Sequence, residues 1–175
     1  MIILKACNMP EFEVGLGLGS NIGDKAANIF QSLRLLAADG RVRIDKISPL
    51  YRTAPWGHVA QDFFANACAL ITTQMSPLDL LAFVKNIEAA MGRAQSERWG
   101  PRLIDIDLLY YGDIVFHDAK LALPHPELFN RAFVLVPLAG IAPGLRIGGR
   151  SVAKAANAVA GEGVVLWDGT SHIAP

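Results

Sequence analysis

The order of its apolar segments constrains the fold of this chain more than any other feature of the sequence. Strand-type and helix-type periodicities alternate along it as strand, helix, strand, strand, helix, strand. The strands are predicted at residues 14–19, 42–51, 63–73 and 103–111, and the helices at residues 24–39 and 78–91. This order suits an α+β fold with a ferredoxin-like β-α-β-β-α-β core and helices on one side of the sheet.

Residue types at the ends of these segments predict where the helices begin and end. Ser20 or Asn21 is expected to cap the first helix, and Ser76 followed by proline opens the second, which Gly92 ends. A short helix is expected within HPELFNRAFVLVPLAGIAP. An additional C-terminal helix near 151–160 and a last strand, VVLW, complete the predicted fold.

Composition limits the classes of function. The 175 residues fit a single domain, 1–175, and 52% hydrophobic residues supply ample material for its core. Net charge is zero, with 16 basic and 16 acidic residues, so nothing favours general binding to nucleic acid or to a membrane surface. No stretch approaches the ~20 apolar residues of a membrane span. Cys7 and Cys68 have no disulfide-framework spacing, and a cytoplasmic protein with reduced thiols is expected.

The segment ERWGPRLIDIDLLYYG, residues 97–112, carries the clearest chemical signal. In a strand, residues two apart point to the same face, so Asp105 and Asp107 present two carboxylates side by side, with Ile104 and Ile106 facing the core. Two adjacent carboxylates repel each other unless a cation neutralises them. Mg²⁺, which takes carboxylates together with substrate phosphates, fits that arrangement. For this pair taken alone, two exposed aspartates on a half-solvated strand is the favoured alternative.

Basic residues near the carboxylate pair change that balance. Arg93, Arg98 and Arg102 precede the strand, while His125 and Arg131 follow it. Guanidinium groups bind phosphate oxygens in a bidentate manner, so a basic run next to a metal site indicates bound phosphates. Each of these residues alone is typical of an ordinary surface. Together with the two aspartates they predict a nucleotide site.

Other features are ambiguous. The segment GLGSN at 17–21 lacks the lysine and spacing of a phosphate-binding loop, and a tight strand-to-helix turn explains it as well as a ligand-lining role does. Phe64, Phe133 and Trp56 are core residues or stacking surfaces. Glu88, on the second helix, is solvated unless a ligand engages it.

Five motifs together resemble a known family. They are GLGSNIGD, SPLYRTAPWG, FANACAL, RWGPRLIDIDLL and LPHPELFNRAFVLVPLAGIAP. In this order they are similar to the 6-hydroxymethyl-7,8-dihydropterin pyrophosphokinases, over residues 14–145. The resemblance implies a usually monomeric enzyme of folate synthesis in which the pterin hydroxyl attacks the β-phosphorus of ATP and AMP is released.

The resemblance also implies roles for individual residues. Asp105 and Asp107 would hold two Mg²⁺ ions, and Arg93 and Arg102 would take part in catalysis. The residues implied to contact ATP are Glu88, Trp99, Arg102, Lys120, His125 and Arg131. The residues implied to line the pterin pocket are Thr53, Pro55, Trp56, Phe64, Asn66 and Phe133.

Some positions depart from the family pattern. The segment AQSE between Arg93 and Arg98 is shorter and less basic, so a catalytic arginine carried there in the family is missing. Pro126 replaces a tyrosine, and Lys120 and Ala122 stand where an arginine and a threonine hold ATP. Two other classes therefore stay open, namely a catalytically silent module that binds a nucleotide or pterin, and a divalent-metal hydrolase of phosphate esters.

Overall fold

A computed structural model of the chain describes residues 10–54, 62–92, 102–159 and 163–168. The helices are α1 Lys25–Ala38, α2 Pro77–Ala90, α3 Ala132–Ile141 and α4 Val152–Ala158, with a 3₁₀ turn at Leu128–Asn130. The strands are β1 Phe12–Ser20, β2 Val42–Ile47, β3 Leu50–Thr53, β4 Phe64–Thr73, β5 Asp105–Tyr111, β6 Phe116–His117, β7 Ala122–Leu123, β8 Arg146–Ile147, β9 Arg150–Ser151 and β10 Val165–Trp167. The predicted α+β class is confirmed, and so are the additional C-terminal helix and strand.

A six-stranded sheet forms the centre of the described structure. Its strand order is β10-β3-β4-β1-β5, and β2 also pairs with β4. The pairs described within it are antiparallel. The strand predicted over 42–51 is wrong as a single element, because it divides into β2 and β3 around Ser48 and Pro49. Proline has no N–H to donate to a ladder, so the pairing is interrupted there.

Helices cover both faces of this sheet. The prediction of helices on one side holds for the core helices α1 and α2 but not for α3 and α4. Helices α1 and α2 pack on one face over a core that includes Leu16, Ile71 and Ile106. Helices α3 and α4 cover part of the other face, where Cys68 and Leu70 are buried. Strand β4 explains the difference, because its residues 65–71 are all buried, and such a run requires cover on both sides.

The predicted capping holds for one helix and fails for the other. The side chain of Ser76 accepts a hydrogen bond from the Asp79 N–H and caps α2, as expected. The prediction that Ser20 or Asn21 caps α1 is wrong. The N-cap is Asp24, whose carboxylate accepts from the Ala27 N–H at 2.9 Å. Ser20 is the last residue of β1, so a turn separates strand and helix.

The helices of the described ranges are short. Within those ranges, none has the length and apolar character that crossing a bilayer requires.

Candidate active site

Strand β5 presents its two carboxylates on one face of the sheet, as the alternation in the sequence predicts. Ile104 and Ile106 are fully buried on the side of α1 and α2, whereas Asp105 and Asp107 are partly exposed on the side of α3. The apolar residues hold the strand in the core. The carboxylates therefore lie on a rigid element at a fixed spacing.

The register of the sheet aligns Asp105 with the polar Asn66, two strands away. Asp105 pairs with Gly19, Gly19 pairs with Asn66, and Asn66 pairs with Tyr51. Directly paired residues share a face, so Asp105 and Asn66 lie on the same side with only Gly19 between them, about 10 Å apart at two strand spacings. A Cβ atom on Gly19 would stand 3.2 Å from Asn66 Oδ1. No side chain of β1 therefore stands between Asp105 and Asn66, and we call this gap the trough.

Three of the pterin-pocket candidates lie next to one another at the far side of that trough. Asn66 Nδ2 donates to Thr53 Oγ1 at 2.8 Å, and both residues are buried. Phe64 pairs with Thr53 across β4 and β3 and is half-buried. The structure thus brings three of the six candidates together on adjacent strands. Phe133 projects from α3, while Pro55 and Trp56 lie outside the described residues.

Each carboxylate is paired with a different arginine. Arg102 Nη1 lies 2.6 Å from Asp105 Oδ2, and Arg131 Nη1 lies 3.0 Å from Asp107 Oδ2. Both guanidinium groups are largely shielded from solvent, and the ring of Phe133 lies 5.8 Å from Arg131 Cζ. Cations already neutralise the carboxylates, and the same guanidinium groups can bind phosphate oxygens.

His125 is anchored beside this pair in a defined tautomer. Its backbone N–H donates to Leu109 O at 2.8 Å, and its Nδ1 accepts from the Glu127 N–H at 3.1 Å. Burial lowers the pKa of the His125 imidazole, an effect that the charge of Asp107 opposes. A neutral imidazole that accepts at Nδ1 carries its proton on Nε2, so Nε2 is a hydrogen-bond donor.

Glu88 is buried, so its interpretation as a solvated residue is wrong. The residue is 1% exposed, and its Oε1 accepts from the Ile106 N–H at 2.7 Å and from Lys85 Nζ at 2.7 Å. Lys85 also donates to Ile106 O at 3.3 Å and lies 3.9 Å from Asp105 Oδ1. Two side chains of α2 thereby bond to the N–H and the C=O of Ile106, which lies between the two aspartates on the edge strand of the sheet.

Sequence reasoning missed Lys85 and the structural role of Asn21. Lys85 and Glu88 are three residues apart on α2, a spacing that predicts a side-chain pair but does not identify its contact with β5. Asn21 Oδ1 accepts from the Arg102 N–H at 2.7 Å, a contact across 81 positions of the chain. The GLGSN motif is the only sequence signal for it.

The remaining candidates are less closely placed. Lys120 is exposed in the turn between β6 and β7, where its backbone N–H donates to Asp118 Oδ1. Arg93 and Trp99 lie outside the described residues, as does Arg98. Their roles therefore stay predictions.

The two carboxylates suit a hard divalent cation whose remaining ligands come from a substrate and from water. Among the described residues, no cluster of three or more His, Cys, Asp or Glu side chains could hold a metal ion. Two carboxylates alone are the set that Mg²⁺ uses when phosphates and water complete its octahedron. The residues present therefore fit Mg²⁺ bound together with a phosphate-bearing substrate.

Comparisons with known proteins identify the family of this chain. Residues 15–143 match the model of the 7,8-dihydro-6-hydroxymethylpterin-pyrophosphokinase (HPPK) family. The 2-amino-4-hydroxy-6-hydroxymethyldihydropteridine pyrophosphokinase of Methylorubrum extorquens is 52% identical over 140 residues, which cover 80% of this chain and 89% of the relative. The Bacillus subtilis enzyme of the same name is 39% identical over 126 residues, or 72% and 75% of the two chains.

A solved structure supports the fold. The crystal structure of wild-type HPPK-DHPS from Plasmodium falciparum with SDX-DHP superposes with a TM-score of 0.70 at 16% identity. The match covers 87% of this chain, which spans only 45% of the length of that one. At this identity the likeness shows a shared fold alone.

Proposed function

This chain belongs to the 7,8-dihydro-6-hydroxymethylpterin-pyrophosphokinase family, and on that premise we propose how its side chains perform the reaction. The enzyme transfers pyrophosphate from ATP to the hydroxymethyl group of 6-hydroxymethyl-7,8-dihydropterin in folate biosynthesis, giving AMP and the pterin diphosphate. The observation that carries the assignment of residues is the pair Asp105 and Asp107, each held by its own arginine, with Asp105 facing Asn66 across Gly19.

Asp105 and Asp107 would hold two Mg²⁺ ions. When bound, these ions neutralise phosphate charge and align the attacking and leaving oxygens of an in-line displacement. Arg102 is paired with Asp105, and Arg131 is paired with Asp107. Their guanidinium groups therefore lie next to the carboxylates that would hold the metal, and they bind the phosphate oxygens of ATP. The Nε2–H of His125 donates a hydrogen bond to the same phosphate oxygens.

The pterin binds at the other end of the trough. A flat heteroaromatic ring stacks against Phe64 and Phe133, while Thr53 and Asn66 read its polar edge with a hydroxyl and an amide. This places the hydroxymethyl group toward the carboxylates and the phosphates. The buried bond between Asn66 and Thr53 supports the assignment, because it fixes both polar groups before the ligand arrives.

Several finer assignments rest on the sequence and stay proposals. They are catalytic Arg93, ATP contacts by Glu88, Trp99 and Lys120, and the pocket residues Pro55 and Trp56. The strand order supports a ferredoxin-like core, since β4 lies between β1 and the strands that follow α1. A single domain over 1–175, a monomeric state, a cytoplasmic location and the absence of nucleic-acid or membrane partners also stay predictions.

The test is an assay with Mg²⁺, ATP and 6-hydroxymethyl-7,8-dihydropterin, scored for nucleotide products by chromatography. AMP is expected to appear only when the pterin is present, and chelation of Mg²⁺ should abolish it. Phosphate or ADP released without the pterin would instead identify a hydrolase. Binding of both ligands without AMP would identify a silent module.

A further inference from the structure

Two hydrogen bonds join the buried Asn21, which follows β1, to the backbone of Arg102, whose side chain forms the ion pair with Asp105. The Asn21 N–H donates to Arg102 O at 3.1 Å, and Asn21 Oδ1 accepts from the Arg102 N–H at 2.7 Å. Asn21 is 5% exposed. We propose that Asn21 is a positioning residue for the reaction, acting through Arg102, an inference that rests on the proposed function.

The two bonds join the chain after β1 to the segment before β5, beyond the last regular pair of these strands. That pair is Gly19 with Asp105, after which the chain turns away toward α1. Here Asn21 Oδ1 accepts the hydrogen bond from the Arg102 N–H, in the place that a backbone carbonyl takes in a regular strand pair. The backbone of Arg102 is thereby fixed relative to β1, although Arg102 itself precedes β5.

The turn around Asn21 is itself held on both sides. Asn28 Nδ2 donates to Ser20 Oγ at 3.2 Å and to Ile22 O at 2.9 Å. The residues before and after Asn21 are therefore bonded to the first turns of α1. Because the residues around Asn21 are held in this way, its bonds to Arg102 fix the Arg102 backbone relative to both β1 and α1.

Fixing the Arg102 backbone matters because of what its side chain does. Its Nη1 lies 2.6 Å from Asp105 Oδ2, at the site proposed for metal and phosphate. A long arginine side chain delivers its charge accurately only if its Cα is fixed. Misplacing a catalytic group by 1 Å can cost about 10²-fold in rate.

The alternative is that Asn21 only stabilises the fold. A buried N–H left without its acceptor costs stability wherever it lies. Thr73, the last residue of β4, provides a matched control, because it pairs with Phe12 at the end of β1 opposite Asn21. Its buried Oγ1 accepts from the Met75 N–H at 3.1 Å and donates to Arg41 O at 2.8 Å, so it forms the same kind of clamp away from the aspartates.

The experiment is a double-mutant cycle with Asn21→Ala and Arg102→Ala in the full chain, read as kcat/KM for ATP. We expect Asn21→Ala alone to lower kcat/KM by about 10-fold or more, within the range that misplacing a catalytic group produces. In the Arg102→Ala background it should cause no further loss, because residues that act through one another are not additive. Asn21→Asp, which keeps the acceptor oxygen, should restore most of the activity.

The control variant separates positioning from stability. Thr73→Ala should lower the urea midpoint of unfolding as Asn21→Ala does, and leave kcat/KM unchanged. Losses that multiply in the double mutant, or an equal kinetic loss in Thr73→Ala, would overturn the proposal. If Asn21→Ala does not fold, Asn21→Ser replaces it, because its shorter side chain does not span the same distance.

A second readout distinguishes this proposal from the proposed function. The same cycle is measured as the Kd for MgATP by calorimetry, which requires no turnover. A wild-type protein that makes no AMP refutes the function, whereas coupling between Asn21 and Arg102 in MgATP binding still supports the positioning role. Additive changes in Kd together with normal wild-type turnover refute the positioning role alone.

Discussion

The two faces of the central sheet are built from the same strands but differ in kind. Toward α1 and α2, β1 and β5 present mainly apolar side chains, among them Val14, Leu16, Leu18, Ile106 and Leu108, and we call this the apolar face. The polar Ser20 at its end accepts a hydrogen bond from Asn28. Toward α3, the intervening positions of β1 are glycines and those of β5 begin with two aspartates. Stability and chemistry are therefore separated residue by residue along one strand, since neighbours in a strand point to opposite faces.

The site face carries polar groups that need hydrogen-bond partners. A buried polar group destabilises the fold unless it is hydrogen-bonded. In the described ranges, no buried side-chain nitrogen or oxygen lacks a hydrogen-bond partner. Asp105, Asp107 and Asn66 each have a partner described above. The partners that satisfy these groups also hold them in place, so the site is organised before a substrate binds.

The largest effect should come from neutralising one carboxylate on the site face. Asp107→Asn keeps the shape but removes the charge, and kcat should fall by at least about 10²-fold, as when one charge-stabilising group is lost from an active site. Asp45→Asn is the matched control, because Asp45 is similarly exposed, 31% against 33%, and is also paired with an arginine. Equal activity in the two variants would refute the metal assignment.

An intermediate effect is expected at the aromatic end of the trough. Phe133→Ala should weaken pterin binding by about 10-fold, which corresponds to roughly 1.4 kcal/mol of lost stacking and contact. The Kd for MgATP should stay close to that of the wild type. Titration calorimetry with each ligand measures both.

Phe129→Ala serves as the control for that change. Phe129, like Phe133, is half-buried and packs against the buried residues that include Leu135 and Leu138 of α3. Arg150 Cζ lies 3.8 Å from its ring centroid. It should leave both Kd values unchanged. Equal losses for pterin and MgATP in Phe133→Ala would rule out the stacking role.

The smallest effect should come from the apolar face, directly beside Asp107. Ile106 is fully buried, and Ile106→Val should lower the free energy of unfolding by about 1 kcal/mol through lost packing. Its kcat should not change, because its side chain points away from the site. Urea unfolding and steady-state kinetics on the same preparation check both. A kcat loss like that of Asp107→Asn would show that the two faces are not separable.

Much of the fold was predictable where local patterns decide it. The alternation around Asp105 and the Ser76–Pro77 start of α2 needed no tertiary information. The cap of α1 was not predictable in the same way, because Ser20, Asn21 and Asp24 are all good capping residues. Tertiary pairing assigned Ser20 to β1 and Asn21 to Arg102, which left Asp24 as the N-cap.

The candidate site divides along the same line. The sequence by itself determined the carboxylate pair and its orientation, because side-chain alternation depends only on the backbone of one strand. Only the tertiary structure decided that Lys85 and Glu88 bond to Ile106, and that Asn21 holds Arg102. These contacts join residues 18 to 81 positions apart, and they depend on strand register and helix packing, which no local pattern encodes.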